Sequence, residues 1–202
     1  VVQQVVLATR NRGKLEELHR ILEAAGLDVE LLGTDAYPDL PDIAETESTF
    51  AGNALLKARE ISRITGLPAI ADDSGLCVDA LNGMPGILSA RWAGRHGDDV
   101  ANLELLLAQM SDVPDRRRTG AFQCAAAIAL PDGTERVVEG SMEGVIIREP
   151  RGTNGFGYDP IFVPSSFTIT SAEMTAEQKD AISHRGQSMR ALVPVLRDLL
   201  DL

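Results

Sequence analysis

The stretch Leu67-Pro68-Ala69-Ile70-Ala71-Asp72-Asp73-Ser74-Gly75 passes from apolar residues straight into two carboxylates, a hydroxyl and a glycine. A buried strand that ends in acids delivers them to a sheet edge, where α/β proteins place their ligands. The same residues would also make an ordinary Asp/Ser/Gly turn, so this stretch gains meaning only from its surroundings. Of the 19 basic residues, just Lys14, Lys57 and Lys179 are lysines, and the rest are arginines. In a chain that uses arginine for general surface charge, these three mark places where a compact, flexible ammonium is wanted. Lys14 closes the run Thr9-Arg10-Asn11-Arg12-Gly13-Lys14. Further on, Arg151-Gly152-Thr153-Asn154-Gly155-Phe156-Gly157-Tyr158-Asp159-Pro160 alternates glycines with aromatics. Glycines let the backbone approach a ligand, and a Phe in so open a loop can stack on a planar ring; core-anchoring aromatics in a structural turn are the alternative. His184 and Arg185 add several donors and one switchable proton, suited to reading a carbonyl-bearing base edge.

These residues need elements to hold them. Residues 3–9 read as a buried first strand, and Leu15, Leu18, Leu22 and Ala25 recur at helical spacing until Gly26 closes a helix. A strand feeding a helix through a polar, glycine-containing turn is a ready anion site, because free N–H groups and the helix dipole point the same way. It is not a Walker A loop, which would need Gly in place of Ala8 and Ser or Thr in place of Leu15. Residues 28–33 form a second short strand, followed by an acidic loop over 34–48. Ser48 or Thr49 then caps a helix to about Gly66, with Lys57 beside its apolar face. After the 67–75 strand, residues 76–81 read as another strand, leading into a glycine-rich loop. An amphipathic helix covers 98–110, with Trp92 before it as a packing residue. Two strands, 122–130 and 134–147, meet at Pro131-Asp132-Gly133 and predict an antiparallel hairpin. Thr175-Ala176-Glu177-Gln178 is a capping box for a short helix carrying Lys179. A last helix runs from about Gln187 to Leu202, with Pro194 marking a kink or a break.

At 202 residues, with 44% hydrophobic and 24% charged residues, the chain fits a single globular domain over 1–202. A net charge of −11 argues against a duplex nucleic-acid binder, which needs a broad basic face. No long apolar run predicts a membrane span and no signal pattern opens the chain, so a cytoplasmic protein is expected, with no nucleic-acid or membrane partner. Cys77 and Cys124 lie in apolar surroundings and read as small core residues.

Six motifs, in order, resemble the inosine triphosphate pyrophosphatase family, specifically its bacterial non-canonical purine NTP pyrophosphatases. They are Thr9–Lys14; Thr49-Phe50 with Asn53-Ala54 and Lys57-Ala58; Ala71–Gly75; Pro85-Gly86 with Ser89-Ala90-Arg91; Gly155–Pro160; and Ala181–Gly186. The resemblance runs nearly end to end and takes in all three lysines. The expected fold is α/β: a mixed central β-sheet with flanking helices, two lobes enclosing a nucleotide-binding cleft. The resemblance implies Mg²⁺-dependent hydrolysis of a nucleoside triphosphate between the α- and β-phosphorus, with preference for ITP, dITP and XTP, and a homodimer as the working form. Thr9, Arg10, Asn11, Arg12, Gly13, Lys14, Lys57 and Ser74 would hold the triphosphate, and Asp73 would activate water. Phe156, Gly157, Tyr158, Asp159, Lys179, His184 and Arg185 would form the base and sugar pocket. Mg²⁺ would sit on Asp73 with Glu45, and Asp72 would be a further ligand or a helper. Ala44 and Glu47 depart from the family pattern, in which a second acid and a glycine are common, and Arg10 stands where a small residue is usual.

The residues themselves are compatible with this chemistry. A triphosphate carries about four negative charges, which an acidic protein must offset locally with cations and a divalent metal. If the strand stays extended at Asp72-Asp73, the two side chains point to opposite faces, which favours distinct roles over a shared-proton dyad. Donors such as Lys179 and Arg185 would face O6 of hypoxanthine or xanthine but would oppose the amino group of adenine. A pyrophosphatase of other base preference and a nucleotide-binding module without turnover remain as rival readings.

Overall fold

The computed structural model describes residues 3–9 and 12–202, with Arg12 described by its backbone alone. Six strands form one mixed sheet in the order β2-β1-β3-β4-β5-β6: β1 Gln3–Leu7, β2 Val29–Gly33, β3 Ala69–Val78, β4 Thr119–Ala129, β5 Glu135–Ile146 and β6 Phe162–Pro164. β1 pairs in parallel with both β2 and β3, whereas β5 and β6 are antiparallel. β4 and β5 are neighbours joined by a tight turn, in which Gly133 donates to Leu130 and Leu130 to Thr134, so they form the expected hairpin. Among the described residues, five α-helices accompany the sheet: α1 Arg12–Ala24, α2 Phe50–Thr65, α3 Asp99–Gln109, α4 Ala176–Ile182 and α5 His184–Leu199.

The chain divides into two compact units. One comprises Val1–Asp73, Cys124–Gly140 and Arg185–Leu202; the other comprises Ser74–Gln123 and Ser141–His184. In the first unit, the two-residue alternation of the strands sorts the core into two faces. Val5 and Leu7 of β1, Ile70 of β3 and Ala126 and Ile128 of β4 pack with Leu18 and Leu22 of α1 and Met189, Leu192 and Leu196 of α5. The alternate residues face α2: Ala71, Ala125, Ala127 and Ala129 meet Ala54 and Ala58, while Val6 and Ala69 meet Ile61. That second face is built almost wholly of alanine. The second unit has a bulkier core, in which Leu76, Val78, Leu106, Met110, Phe122, Met142, Ile146 and Phe162 are buried together.

Helix ends follow the chemistry read from the sequence. The Thr49 hydroxyl accepts from Gly52 N–H to start α2, and Gly66 ends it at φ 69°. Thr175 and Gln178 form a complete capping box on α4. Trp92 packs against the second unit's core and donates to Gln109 Oε1 at 2.8 Å. Cys77 and Cys124 are free thiols, and burial pushes Cys124 up to about 12, as befits an inert core residue. Among the described residues, no helix is long and apolar enough to cross a membrane.

Three expectations need correction. The strand at 67–75 does not end at its acids, and 76–81 is not a separate strand: β3 runs unbroken from Ala69 to Val78. The carboxylates are satisfied by protein partners inside the fold, so the backbone has no need to turn out to water there. α5 starts at His184 instead of Gln187 and continues through Pro194 to Leu199.

Candidate active site

Strand parity decides what each acid of β3 meets. Asp72 follows Ile70 by two residues and so falls on the face covered by α1 and α5. There its Oδ2 lies 2.9 Å from Lys14 Nζ, in the first turn of α1, and 3.2 Å from Arg185 Nε, in the first turn of α5. Burial alone would raise the Asp72 carboxyl, but Lys14, Arg185 and Lys57 outweigh it and hold Asp72 well below the usual carboxylate range. Asp73 follows Ala71 and falls on the α2 face. Its Oδ2 accepts a 2.9 Å hydrogen bond from Asn53 Nδ2. The opposite-face arrangement expected for an extended chain is therefore present, and the acids share no proton.

α2 presents two polar residues to this strand, Asn53 and Lys57, four apart and so on one side of the helix. The alanines around them allow the short Asn53 side chain to span from helix to strand. Lys57 Nζ donates to the Asp72 carbonyl and to Glu45 Oε1, both at 2.7 Å. Asn53 Oδ1 accepts from Glu47 N–H at 2.9 Å. The helix thereby ties the acidic 45–47 loop to the acidic strand at two successive rungs.

A second cluster lies in the other unit. Asp159, 2% exposed, pairs with Lys179 through Oδ2, and the same oxygen accepts from Phe156 N–H at 2.9 Å. Lys179 Nζ also lies 5.2 Å from the centre of the Phe156 ring. Gly155 sits at φ +75°, where a Cβ would come within 2.1 Å of Asp159 Oδ2, so both conformation and space require glycine. Gly157 N–H donates at 2.9 Å to Asp99 at the start of α3. The two readings of this loop divide between its two aromatics. Tyr158 is buried and donates to the Ser89 carbonyl at 2.9 Å, and burial, then Asp99, push its phenol upward; Phe156 stands 62% exposed. His184, also in this unit, stacks on Phe122 with ring centres 5.1 Å apart and planes 15° from parallel.

The expected site residues thus fall into two groups. Lys14, Glu45, Lys57, Asp72, Asp73 and Arg185 belong to the first unit, with Thr9 two residues beyond β1 and Gly13 in α1. Ser74, Phe156, Gly157, Tyr158, Asp159, Lys179 and His184 belong to the second. His184 and Arg185, adjacent in the chain, face different partners: Phe122 and Asp72. Arg10, Asn11 and the Arg12 side chain lie outside the described residues. Two contacts carry no role in the sequence reading: Asn53 stands in the second motif, one turn before Lys57, without a function assigned to it, and nothing local marks Asp99.

Among the described residues, no three of His, Cys, Asp and Glu converge as a metal centre. Mg²⁺ is commonly held by one or two carboxylates, with substrate phosphates and water completing the shell, and Asp73 and Glu45 supply hard oxygen donors of that kind. The donor chemistry fits.

The profile of the Ham1 family matches residues 5–195. The chain is 64% identical over 197 residues to a dITP/XTP pyrophosphatase of Streptomyces coelicolor, covering 98% of each chain. Among solved structures, a nucleoside-triphosphatase / dITP/XTP pyrophosphatase from Mycobacterium abscessus is 56% identical with a TM-score of 0.83, covering 96% of this chain and all of that one. A HAM1 protein from Coxiella burnetii is 41% identical with a TM-score of 0.91, covering 98% of this chain and all of that one.

Proposed function

Because the chain belongs to the Ham1 family, we propose that it is a nucleoside-triphosphate pyrophosphatase acting on deaminated purine nucleotides, dITP, XTP and ITP, and so cleanses the nucleotide pool. Water adds to the α-phosphorus, the α–β bridging oxygen leaves with pyrophosphate, and the water proton passes to a carboxylate. The observation that carries this reading is the division of labour between the two acids of β3. Asp72 is paired with Lys14 and Arg185, whereas Asp73 lies on the opposite face with one oxygen fixed by Asn53, which supports Asp73 as the proton acceptor.

Phosphoryl transfer needs positioning and charge neutralisation more than covalent chemistry. Thr9 to Lys14, with the N–H groups at the start of α1, together with Lys57 and Ser74 hold the triphosphate. Phe156 stacks on the base, and its exposure and its fixed N–H support that role. Gly157, Asp159, Lys179, His184 and Arg185 complete the base and sugar contacts, with donors toward O6, and Tyr158 supports the loop from its buried side through the bond to the Ser89 carbonyl. Asp73 and Glu45 would hold Mg²⁺, with Asp72 as a further ligand or a helper, and the metal would supply charge neutralisation at the phosphates. The working form is a cytoplasmic homodimer with a small-molecule substrate and no nucleic-acid or membrane partner.

Product analysis tests the reading. Incubation with dITP and Mg²⁺ yields dIMP and pyrophosphate; dIDP and orthophosphate would overturn it. Initial rates for XTP, ITP, GTP and ATP, with and without Mg²⁺, test base preference and metal dependence, and light scattering in solution tests the dimer.

A further inference from the structure

We infer that Asn53 is a positioning residue for the hydrolytic step, acting through Asp73 and the acidic loop at once. The inference rests on the reading of Asp73 given above. Asn53 is wholly buried, and both ends of its amide are committed: Oδ1 to Glu47 N–H and Nδ2 to Asp73 Oδ2, each at 2.9 Å. Only one orientation satisfies both partners. A backbone N–H can only donate, so the amide oxygen must face Glu47, and the NH₂ is then left for the carboxylate.

The setting leaves no slack. Asn53 N–H itself bonds the Thr49 carbonyl, which fixes the residue in the first turn of α2. At Gly52 an added Cβ would lie 2.7 Å from Glu47 Cβ and 3.1 Å from Thr49 Oγ1, so the acidic loop is packed directly on that turn. One turn on, Lys57 repeats the same connection, from Glu45 to the Asp72 carbonyl. Lys57 carries a charge that can serve phosphate as well, whereas Asn53 is neutral and wholly buried, with both ends of its amide committed to protein groups. Its contribution is therefore orientation: it selects which Asp73 oxygen faces the substrate and fixes the loop bearing Glu45 relative to that carboxylate. A misplacement of about 1 Å in such a group can cost on the order of 100-fold in rate.

Two measurements test this. Asn53→Ala is expected to lower kcat for dITP by about 100-fold with KM changed less than about threefold, because the residue orients the reacting group and does not bind nucleotide. A variant with wild-type kcat overturns the inference, as does one whose loss lies wholly in KM. Asn53→Asp preserves the acceptor for Glu47 N–H but sets oxygen against oxygen at Asp73, so Tm falls. Adding Asp73→Asn restores the hydrogen bond with its polarity reversed, so Tm recovers in Asn53→Asp/Asp73→Asn although activity does not. Independent, additive Tm changes would overturn the inference even if Asn53→Ala did not fold. Failure of the wild-type protein to release pyrophosphate would instead count against the function, and the Tm comparison would still read the contact.

Discussion

Asp72 and Asp159 are 4% and 2% exposed, and each holds an ammonium, yet they are used differently. Asp72 draws Lys14 and Arg185 from the first turns of two helices, so one buried carboxylate organises two cations. Among the described residues, Asp159 takes one cation, Lys179, and uses the same oxygen to hold the backbone of Phe156. The first arrangement concentrates positive charge in a chain of net charge −11. The second fixes the shape of a glycine loop whose aromatic ring remains exposed. A carboxylate–lysine pair in the sequence does not distinguish these uses; the further partner does, a second cation at Asp72 and a backbone N–H at Asp159.

If the first cluster serves turnover and the second serves binding, substitutions should separate cleanly. Asp73→Asn gives the largest effect, a fall in kcat of about 10³-fold or more with dITP binding retained, read by single-turnover rates and equilibrium titration. Comparable activity in the variant would dissolve the distinction between Asp73 and its neighbour. Asp72→Asn strands two cations and lowers unfolding free energy by about 3 kcal/mol at neutral pH, measured by denaturant titration. Because the folded Asp72 carboxyl is depressed below its ordinary 3.8, this stabilisation is complete at neutral pH and is lost as pH falls below that value. The difference between wild type and variant should therefore narrow in acid. Phe156→Ala raises KM for dITP by about tenfold through lost stacking, without a change in Tm, since the ring is mostly outside the core. The smallest effect is that of Tyr158→Phe, which removes the bond to the Ser89 carbonyl, costs about 1 kcal/mol of stability and leaves KM unchanged. A Tm loss from Phe156→Ala, or a KM change from Tyr158→Phe, would reverse the roles given to the two aromatics.

Much of this was legible in the residues. Thr49, Gly66 and the Thr175–Gln178 box announce helix ends through local chemistry, and alternation along β3 foretells that Asp72 and Asp73 part company. The unbroken strand was not legible, because Asp-Asp-Ser-Gly has turn composition and only long-range partners, Lys14, Arg185 and Asn53, make an extended path satisfactory. At Pro194 the helix does not break, because the tertiary packing of α5 through Met189, Leu192 and Leu196 outweighs the hydrogen bond the proline forgoes. Asn53 was hidden in plain view, since its amide matters only once helix and strand are brought together.

Gly75 lies in the extended strand β3, so a turn is not what selects glycine there. Space is: a Cβ would fall 2.4 Å from both the Gly86 carbonyl oxygen and Ser89 Oγ. The first added carbon already makes the clash, and part of it is against backbone. Tolerance at this position should therefore behave as a step and not as a slope. In a saturation library alanine would fare nearly as badly as leucine, a pattern that distinguishes a contact limit from a dihedral preference without any further structure.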